Sequence, residues 1–170
     1  MNMNIILIGF MGVGKGRIAR ALAQKTGAFA IDTDDLIESL VKKKIRKIFA
    51  EEGEPFFRQL EQRTADWIRE NVQSTIISTG GGFFQVNGMK TLGVVVYLHS
   101  NVEEIIKAIE AHKNAARKIK KRPLLQDLDK ARELFAARLP LYREAADIEI
   151  NVEGKAPEQV AEELFALLAS

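Results

Sequence analysis

Short apolar runs alternate with longer amphipathic stretches along most of the chain. Five runs predict strands, and three of them are rich in β-branched residues, as is typical of strands buried in a parallel sheet: 5–8, 28–31, 75–78, 94–98 and 148–152. Seven stretches with helical spacing predict helices: 15–25, 35–41, 45–51, 55–71, 102–112, 129–144 and 157–168. Because Pro140 lies inside the sixth helix, we expect that helix to kink or break just before it.

The alternation of strands and helices predicts an α/β fold with a doubly wound parallel sheet. In such folds ligands bind at the carboxyl ends of the strands, so the chemistry should lie where each strand ends. The chain has 170 residues, and no repeat or linker marks a boundary within it. We therefore expect a single domain over residues 1–170.

Composition narrows the class of protein further. The 25 Lys and Arg residues against 23 Asp and Glu leave a formal charge of +2, which gives no electrostatic reason to expect a nucleic-acid partner. Absence of cysteine excludes disulfides, Cys-based zinc sites and thiol nucleophiles. No apolar stretch approaches the roughly 20 residues of a membrane helix, and the N-terminus lacks the basic region of a signal peptide. We expect a soluble, cytoplasmic protein without membrane or nucleic-acid partners.

A glycine-rich loop follows the first predicted strand and precedes the first helix, with the sequence Gly9-Phe10-Met11-Gly12-Val13-Gly14-Lys15. This G-x-x-x-x-G-K pattern lets backbone N–H groups wrap a phosphate, and the helix N-terminus and the lysine charge add to the attraction. The next position of the pattern is Ser or Thr, whose hydroxyl binds Mg²⁺, but here it is Gly16, followed by Arg17. The sequence therefore predicts nucleotide phosphate binding more strongly than metal-dependent turnover.

Acidic residues close the second predicted strand. The i, i+2 spacing of Asp32 and Asp34 would put both carboxylates on one face, one near a phosphate-bound cation and one near a hydroxyl, as a kinase needs. The alternative is an acidic helix start. We assign that capping role to Asp35, with Glu38 three residues later.

Two arginines are candidates for binding an acidic substrate. Arg58 and Glu61 share a helix face, so the carboxylate could hold the guanidinium in place while it binds an anion through two parallel hydrogen bonds. Taken alone, this spacing also fits an ordinary surface ion pair. Arg138 lies in the apolar stripe of its helix, where an arginine either extends to the surface or meets an anion in a cleft.

Glycine-rich and basic segments complete the set of candidates. Gly80-Gly81-Gly82 follow the third predicted strand, where they would let backbone N–H groups approach a small ligand or would simply form a flexible turn. Residues 42–47 are basic but are followed by glutamates, which predicts a solvated helix junction. Residues 113–122 carry six cations and no acid, which predicts a mobile, anion-binding loop, with a solvated linker as the alternative.

These motifs, together with Asp32-Thr33-Asp34, Phe57-Arg58 and Arg122-Pro123-Leu124, resemble the shikimate kinase family in order along nearly the whole chain. The resemblance implies a P-loop kinase of the nucleoside-monophosphate-kinase type, with a five-stranded parallel sheet, flanking helices, substrate-binding helices and a mobile lid over about residues 113–126. It implies ATP-dependent phosphorylation of the shikimate 3-hydroxyl in aromatic amino-acid biosynthesis, with Mg²⁺ as cofactor. We expect the protein to act as a monomer.

The resemblance also implies roles for individual residues. The implied catalytic residues are Lys15, Asp34 and Arg122. ATP would be bound by Gly12, Val13, Gly14, Lys15, Gly16, Arg17 and Arg122. Shikimate would be bound by Asp34, Arg58, Gly80, Gly81, Gly82 and Arg138. Asp32 would hold Mg²⁺ through water.

Two other functions stay open from the sequence. Because Gly16 replaces the hydroxyl residue, the chain also fits a nucleotide- and shikimate-binding protein of the same fold with impaired turnover. The fold also fits a kinase for another small acid or sugar. A pair of arginines, Arg58 and Arg138, directed at one pocket would favour a carboxylate over a neutral sugar.

Overall fold

Five parallel strands form one sheet in the computed structural model, which describes residues 3–120 and 122–169. In chain order the strands are β1 (Ile5–Ile8), β2 (Ala30–Asp32), β3 (Ile76–Ser78), β4 (Val94–His99) and β5 (Ile148–Asn151). Their order across the sheet is β2-β3-β1-β4-β5, so the first strand lies at the centre. All four side chains of β1 are buried, as its unbroken apolar sequence predicts for a strand covered on both faces.

Eight α-helices connect and flank these strands among the described residues. They are α1 (Lys15–Thr26), α2 (Thr33–Val41), α3 (Ile45–Glu52), α4 (Glu54–Asn71), α5 (Val102–Glu110), α6 (Ala115–Lys120), α7 (Leu128–Ala145) and α8 (Pro157–Ala169). Short 3₁₀ turns lie at Phe83–Gln85, Met89–Thr91 and Pro123–Gln126. The five-stranded α/β fold predicted from the sequence is confirmed, with strand ends within two residues of those expected. None of the helices in this part of the chain has the length and hydrophobicity needed to cross a bilayer.

Of the kink or break expected before Pro140, the break is wrong, because α7 runs through this residue to Ala145. A proline inside a helix costs about 3 kcal/mol through a lost hydrogen bond and a steric clash. Tyr142, one half-turn further on, is fully buried, stacks on Tyr97 and donates a hydrogen bond from its hydroxyl to the Gly81 carbonyl. Burial of such an aromatic side chain stabilises the helix by a similar amount, so tertiary packing keeps the segment helical.

The basic segment at 113–122 also differs from the expected loop. Residues Ala115–Lys120 form the short helix α6, none of whose side chains is fully buried. Lys121 lies outside the described residues. The other basic run, at 42–47, joins α2 to α3, and its lysines pair with nearby glutamates: Lys43 with Glu51 and Glu52, Lys44 with Glu38, and Lys47 with Glu51. The prediction of a solvated helix junction is confirmed there.

Strand order and register determine where the site forms. Ser78 at the end of β3 is the register partner of Leu7 in β1 and of Asp32 in β2. The carboxyl ends of these three strands therefore lie side by side at one edge of the sheet. The glycine-rich loop, the Asp32–Asp34 segment and the three consecutive glycines all follow these ends, so the topology brings them together.

Candidate active site

The glycine-rich loop closes around the ammonium group of Lys15. Its Nζ donates hydrogen bonds to the carbonyls of Gly9, at 2.6 Å, and Phe10, at 3.0 Å. Gly14 caps α1 with a left-handed backbone (φ 100°), a conformation that glycine adopts without steric cost. Burial lowers the pKa of Lys15 to about 8, although the carboxylates of Asp34 and Asp32 oppose this shift. The lysine is thus a desolvated cation at the position where a phosphate would bind.

A first cleft, of about 370 Å³, lies beside this loop. Four of the seven residues predicted to bind ATP line it: Gly12, Val13, Gly14 and Arg17. Residues of α5 and residues 152–157 also line this cleft, and none of them was predicted from the sequence to bind a ligand. Lys15 is buried beneath the loop and Gly16 lies in the first turn of α1, whereas Arg122 faces a different cleft.

A second cleft, of about 600 Å³, contains every residue predicted to bind the substrate. These are Asp34, Arg58, Gly80, Gly81, Gly82 and Arg138. They come from α2, α4, the segment after β3 and α7, so residues more than 100 positions apart in the chain meet in one site. Arg122 and Glu61 line the same cleft. With Arg46 of α3, four arginines therefore line a space large enough for a small acid.

Arg58 is held by two carboxylates of its own helix. Its Nη1 donates to Glu61 Oε2 at 2.6 Å and its Nη2 donates to Glu54 Oε1 at 2.8 Å. Glu61 is only 1 % exposed, burial raises its pKa, and its Oε1 has no hydrogen-bond partner among the described residues. The predicted Arg58–Glu61 contact is therefore present, and it is a partly buried ion pair instead of a surface one.

The consecutive glycines make room for these side chains. A Cβ on Gly82 would lie 2.6 Å from Cζ of Arg58, and a Cβ on Gly80 would lie 2.8 Å from Oδ1 of Asp34. The backbone N–H of Gly80 donates to the Thr33 hydroxyl at 3.2 Å. The glycines thus allow the side chains of Asp34 and Arg58 to pack against the backbone. From the sequence we expected the glycines to make room for a ligand instead.

Asp32, not Asp35, caps α2. Its Oδ1 accepts hydrogen bonds from the backbone N–H groups of Asp34, at 2.9 Å, and Asp35, at 3.3 Å. The capping role assigned to Asp35 is wrong, because β2 ends at Asp32 and the helix starts two residues earlier than expected. The prediction that Asp32 and Asp34 share a strand face is wrong for the same reason, since Asp34 lies in the first turn of α2.

Asp34 is the most perturbed carboxyl of the second cleft. Burial, and then the negative charges of Asp32 and Glu61, raise its pKa to about 7, while the Lys15 ammonium acts in the opposite direction. Its Oδ1 is buried without a hydrogen-bond partner among the described residues. A carboxyl in this state can exchange a proton with a hydroxyl near neutral pH.

Three cationic side chains, those of Arg17, Lys118 and Arg122, lie close enough to repel one another. Burial lowers the pKa of Arg122, and the nearby Arg17 guanidinium lowers it further. Lys118 is subject to the same repulsion from Arg17 and Arg122. Such a group of like charges is stabilised when an anion binds between its members.

Comparison with known proteins agrees with this geometry. The family model described as "Shikimate kinase" matches residues 11–169. The chain belongs to the shikimate kinase family. A shikimate kinase from Helicobacter hepaticus is 39% identical over 155 residues, which cover 91% of this chain and 90% of that protein. A shikimate kinase from Dehalococcoides mccartyi is 38% identical over 167 residues, covering 95% and 90%.

Solved structures of the family show the same fold. The structure of shikimate kinase from Acinetobacter baumannii in complex with shikimate has a TM-score of 0.85 and 33% identity, and covers 98% of this chain and 93% of that one. That of the enzyme from Bacteroides thetaiotaomicron has a TM-score of 0.83 and 26% identity, with complete coverage of both chains. As a shikimate kinase family member, the chain is an ATP-dependent kinase.

The residues at the phosphate site fit a magnesium–nucleotide complex better than a protein-only metal site. In residues 3–120 and 122–169, no group of three or more His, Cys, Asp or Glu side chains could hold a metal. Mg²⁺ in kinases is held mainly by phosphates and water, with one or two carboxylates nearby. Asp32 has one oxygen committed to the helix cap, and its second carboxylate oxygen can accept a hydrogen bond from such a water.

Sequence reasoning missed several supporting residues. Thr33 binds the backbone of Gly80, Glu54 holds Arg58, and the Tyr142 hydroxyl binds the Gly81 carbonyl. The spacing of four residues between Glu54 and Arg58, and between Arg138 and Tyr142, is the only signal in the sequence that could have indicated a shared helix face.

Proposed function

We propose that the chain transfers the γ-phosphate of ATP to the 3-hydroxyl of shikimate, giving shikimate 3-phosphate and ADP in aromatic amino-acid biosynthesis. The observation that carries this proposal is the second cleft, in which Arg58 and Arg138 face the same space as the carboxyl of Asp34. Two guanidinium groups suit a carboxylate substrate, and a carboxyl with a pKa of about 7 suits a reacting hydroxyl.

In this proposal ATP lies with its phosphates in the glycine-rich loop, against Gly12, Val13, Gly14 and the first turn of α1, where Gly16 and Arg17 lie. Lys15 and Arg122 neutralise the charge on the transferred group, and bound Mg²⁺ would add to that neutralisation. Asp32 would hold the metal through water. Catalysis of this kind consists mainly of positioning and electrostatic stabilisation.

The substrate side of the proposal assigns a role to each residue of the second cleft. Arg58 and Arg138 bind the shikimate carboxylate, while Gly80, Gly81 and Gly82 let the surrounding groups approach closely. Asp34 orients the 3-hydroxyl and accepts its proton. The hydroxyl oxygen bonds to the γ-phosphorus as the bond from that phosphorus to the bridging oxygen of ADP breaks.

We further place the reaction in the cytoplasm, where ATP is supplied, with the protein acting as a monomer of one domain and residues 113–126 forming a lid. No nucleic-acid partner is part of the proposal, since the formal charge of +2 gives no electrostatic reason to expect one.

A binding protein with impaired turnover is the second candidate, and Gly16 is the observation that favours it. An ADP-release assay with ATP, Mg²⁺ and shikimate separates the two. The kinase proposal predicts ADP release that requires shikimate and that falls strongly in Asp34→Asn, which keeps the shape of the side chain but cannot accept the proton. Shikimate-independent ADP release, or none, would count against it, and normal turnover in Asp34→Asn would remove the role of Asp34.

A further inference from the structure

The missing side chain of Gly16 leaves a space at the start of α1. Apart from its chain neighbours and the backbone of its own helix, two atoms of the described residues approach within 4 Å of the position that a Cβ on Gly16 would take: Arg20 Nη1 at 3.5 Å and Ser78 Oγ at 3.8 Å. The hydroxyl of Ser78 therefore faces the position from which the Ser or Thr of a complete P-loop would reach a metal.

Ser78 also lies next to Asp32. The two residues are register partners in β3 and β2, so their side chains leave the sheet on the same face. Helix α1 packs on β3, and the distance of 3.8 Å between the Gly16 Cβ position and Ser78 Oγ places the first turn of that helix next to Ser78. The Ser78 hydroxyl is thus positioned between the P-loop and the acidic residue that we expect to hold Mg²⁺ through water.

The hydroxyl of Ser78 is free to take part in such an interaction. Ser78 is 3 % exposed, yet its Oγ makes no hydrogen bond to another described residue. The adjacent Thr79 is different, because its Oγ1 donates to the Leu7 carbonyl at 2.8 Å. Of these two neighbouring hydroxyls, one supports the sheet and the other remains available.

Magnesium chemistry gives this hydroxyl a role. Mg²⁺ requires six oxygen ligands and readily keeps water in several positions. Where Gly16 supplies no hydroxyl, a water can complete the coordination, but a well-ordered water near buried groups needs two to four hydrogen-bond partners. Groups that orient the ligands of a metal commonly change its affinity by about 10- to 100-fold.

We infer that the Ser78 hydroxyl replaces the missing P-loop hydroxyl by hydrogen-bonding the water that takes its place on nucleotide-bound Mg²⁺. Ser78 is then a positioning residue, because it acts on the metal through that water. This inference deepens the proposed function and rests on its nucleotide and metal. Arg20 offers the competing explanation, in which its guanidinium supplies the charge that the metal would otherwise provide.

The test is the magnesium dependence of ADP binding, measured by calorimetry without shikimate. We expect Ser78→Ala to need about 10-fold more Mg²⁺ than the wild type for the half-maximal gain in ADP affinity. In a Gly16→Ser background, where the side chain supplies the hydroxyl, the same change should shift this concentration by no more than about threefold. In EDTA, Ser78→Ala should leave the ADP affinity unchanged relative to its parent protein in each of the two backgrounds.

Two further variants serve as controls for the position of the hydroxyl and for the loss of side-chain volume. Thr79→Val removes the neighbouring hydroxyl, which is directed at Leu7, and should leave the magnesium dependence unchanged. Ser78→Cys leaves no cavity but forms only weak hydrogen bonds, so its magnesium dependence should match that of Ser78→Ala even if the smaller alanine lowers the melting temperature.

Several results would overturn the inference. Equal magnesium curves for the wild type, Ser78→Ala and Ser78→Cys would do so, as would an equal effect of Ser78→Ala in both backgrounds. ADP binding that is independent of Mg²⁺ in the wild type would also overturn it, and would favour Arg20 as the replacement charge. Shikimate-dependent ADP release by the wild type is measured separately, so turnover with an unchanged curve in Ser78→Ala would remove only the role of Ser78.

Discussion

Arg58 and Glu61 form an ion pair with a hydrogen bond of 2.6 Å between Nη1 and Oε2, and its carboxylate is buried at the edge of the second cleft. Glu54 binds the opposite side of the same guanidinium. A guanidinium held on two sides loses little further freedom when it binds a carboxylate, so its position is largely set before the substrate arrives.

Arg58→Ala and Arg138→Ala should each raise the KM for shikimate by roughly 10- to 100-fold, since each removes a charge-assisted hydrogen bond worth about 1.5–3 kcal/mol. The KM for ATP should change much less. Steady-state kinetics with each substrate varied in turn measures both values. Arg63→Ala, on the exposed side of α4, is the matched control. Equal weakening of ATP and shikimate would refute the carboxylate role of the residue concerned.

Asp34→Asn should stabilise the protein, and more at pH 8 than at pH 5. The folded state raises the pKa of Asp34 from 3.8 to about 7. The protonated carboxyl therefore contributes fully to the free energy of unfolding below pH 3.8, and this contribution is lost as the pH rises through 7. The amide does not ionise and escapes this loss. Thermal unfolding of both proteins at the two pH values measures the difference.

The control for this stability prediction is Asp35→Asn, because Asp35 is the exposed neighbour in the same helical turn. It should show a smaller dependence on pH. If the gain in melting temperature for Asp34→Asn were the same at pH 5 and pH 8, ionisation of the Asp34 carboxyl would not be the cause of the lost stability.

Nucleotide binding should be accompanied by proton uptake near pH 8. In the protein without nucleotide, burial lowers the pKa of Lys15 to about 8, so about half of this side chain is neutral at pH 8. The phosphate groups of a bound nucleotide will favour its charged form. Calorimetry of ADP binding in buffers with different ionisation enthalpies should give an uptake of about half a proton. Lys15→Arg, which stays charged, should abolish it. Binding heats that do not depend on the buffer would contradict the assignment.

Residues 113–122 should exchange their amide hydrogens fast without nucleotide and more slowly with a non-hydrolysable ATP analogue. No side chain of α6 is fully buried, and Lys118 and Arg122 repel Arg17 until an anion lies between them. Hydrogen–deuterium exchange followed by mass spectrometry measures this, with peptides from β1 as the internal reference. Unchanged exchange at 113–122 would exclude a lid that responds to nucleotide.

Much of the fold and of the site follows from short-range patterns. The β-branched runs identify the strands because parallel strands are apolar on both faces. Strand ends identify the site because parallel topology brings them to one edge of the sheet. These two rules suffice to place Lys15, Asp34 and the three glycines near one another.

What the sequence could not supply depends on contacts between distant segments. The cap of α2 is Asp32 because β2 pairs with β3 only as far as that residue. The helix persists through Pro140 because Tyr142 is anchored on Tyr97 and Gly81. The nearness of Ser78 to Gly16 depends on how α1 packs on the sheet, and no spacing along the chain encodes that.

Close packing of Gly80 against Asp34 and of Gly82 against Arg58 limits how this enzyme can be redesigned. Any side chain added at either glycine would displace a functional group before it reached a ligand. The part of the cleft formed by α3 is different, because its lining residues Arg46 and Phe49 are exposed. Libraries that seek to accommodate bulkier acids should therefore vary α3 and leave the glycines untouched.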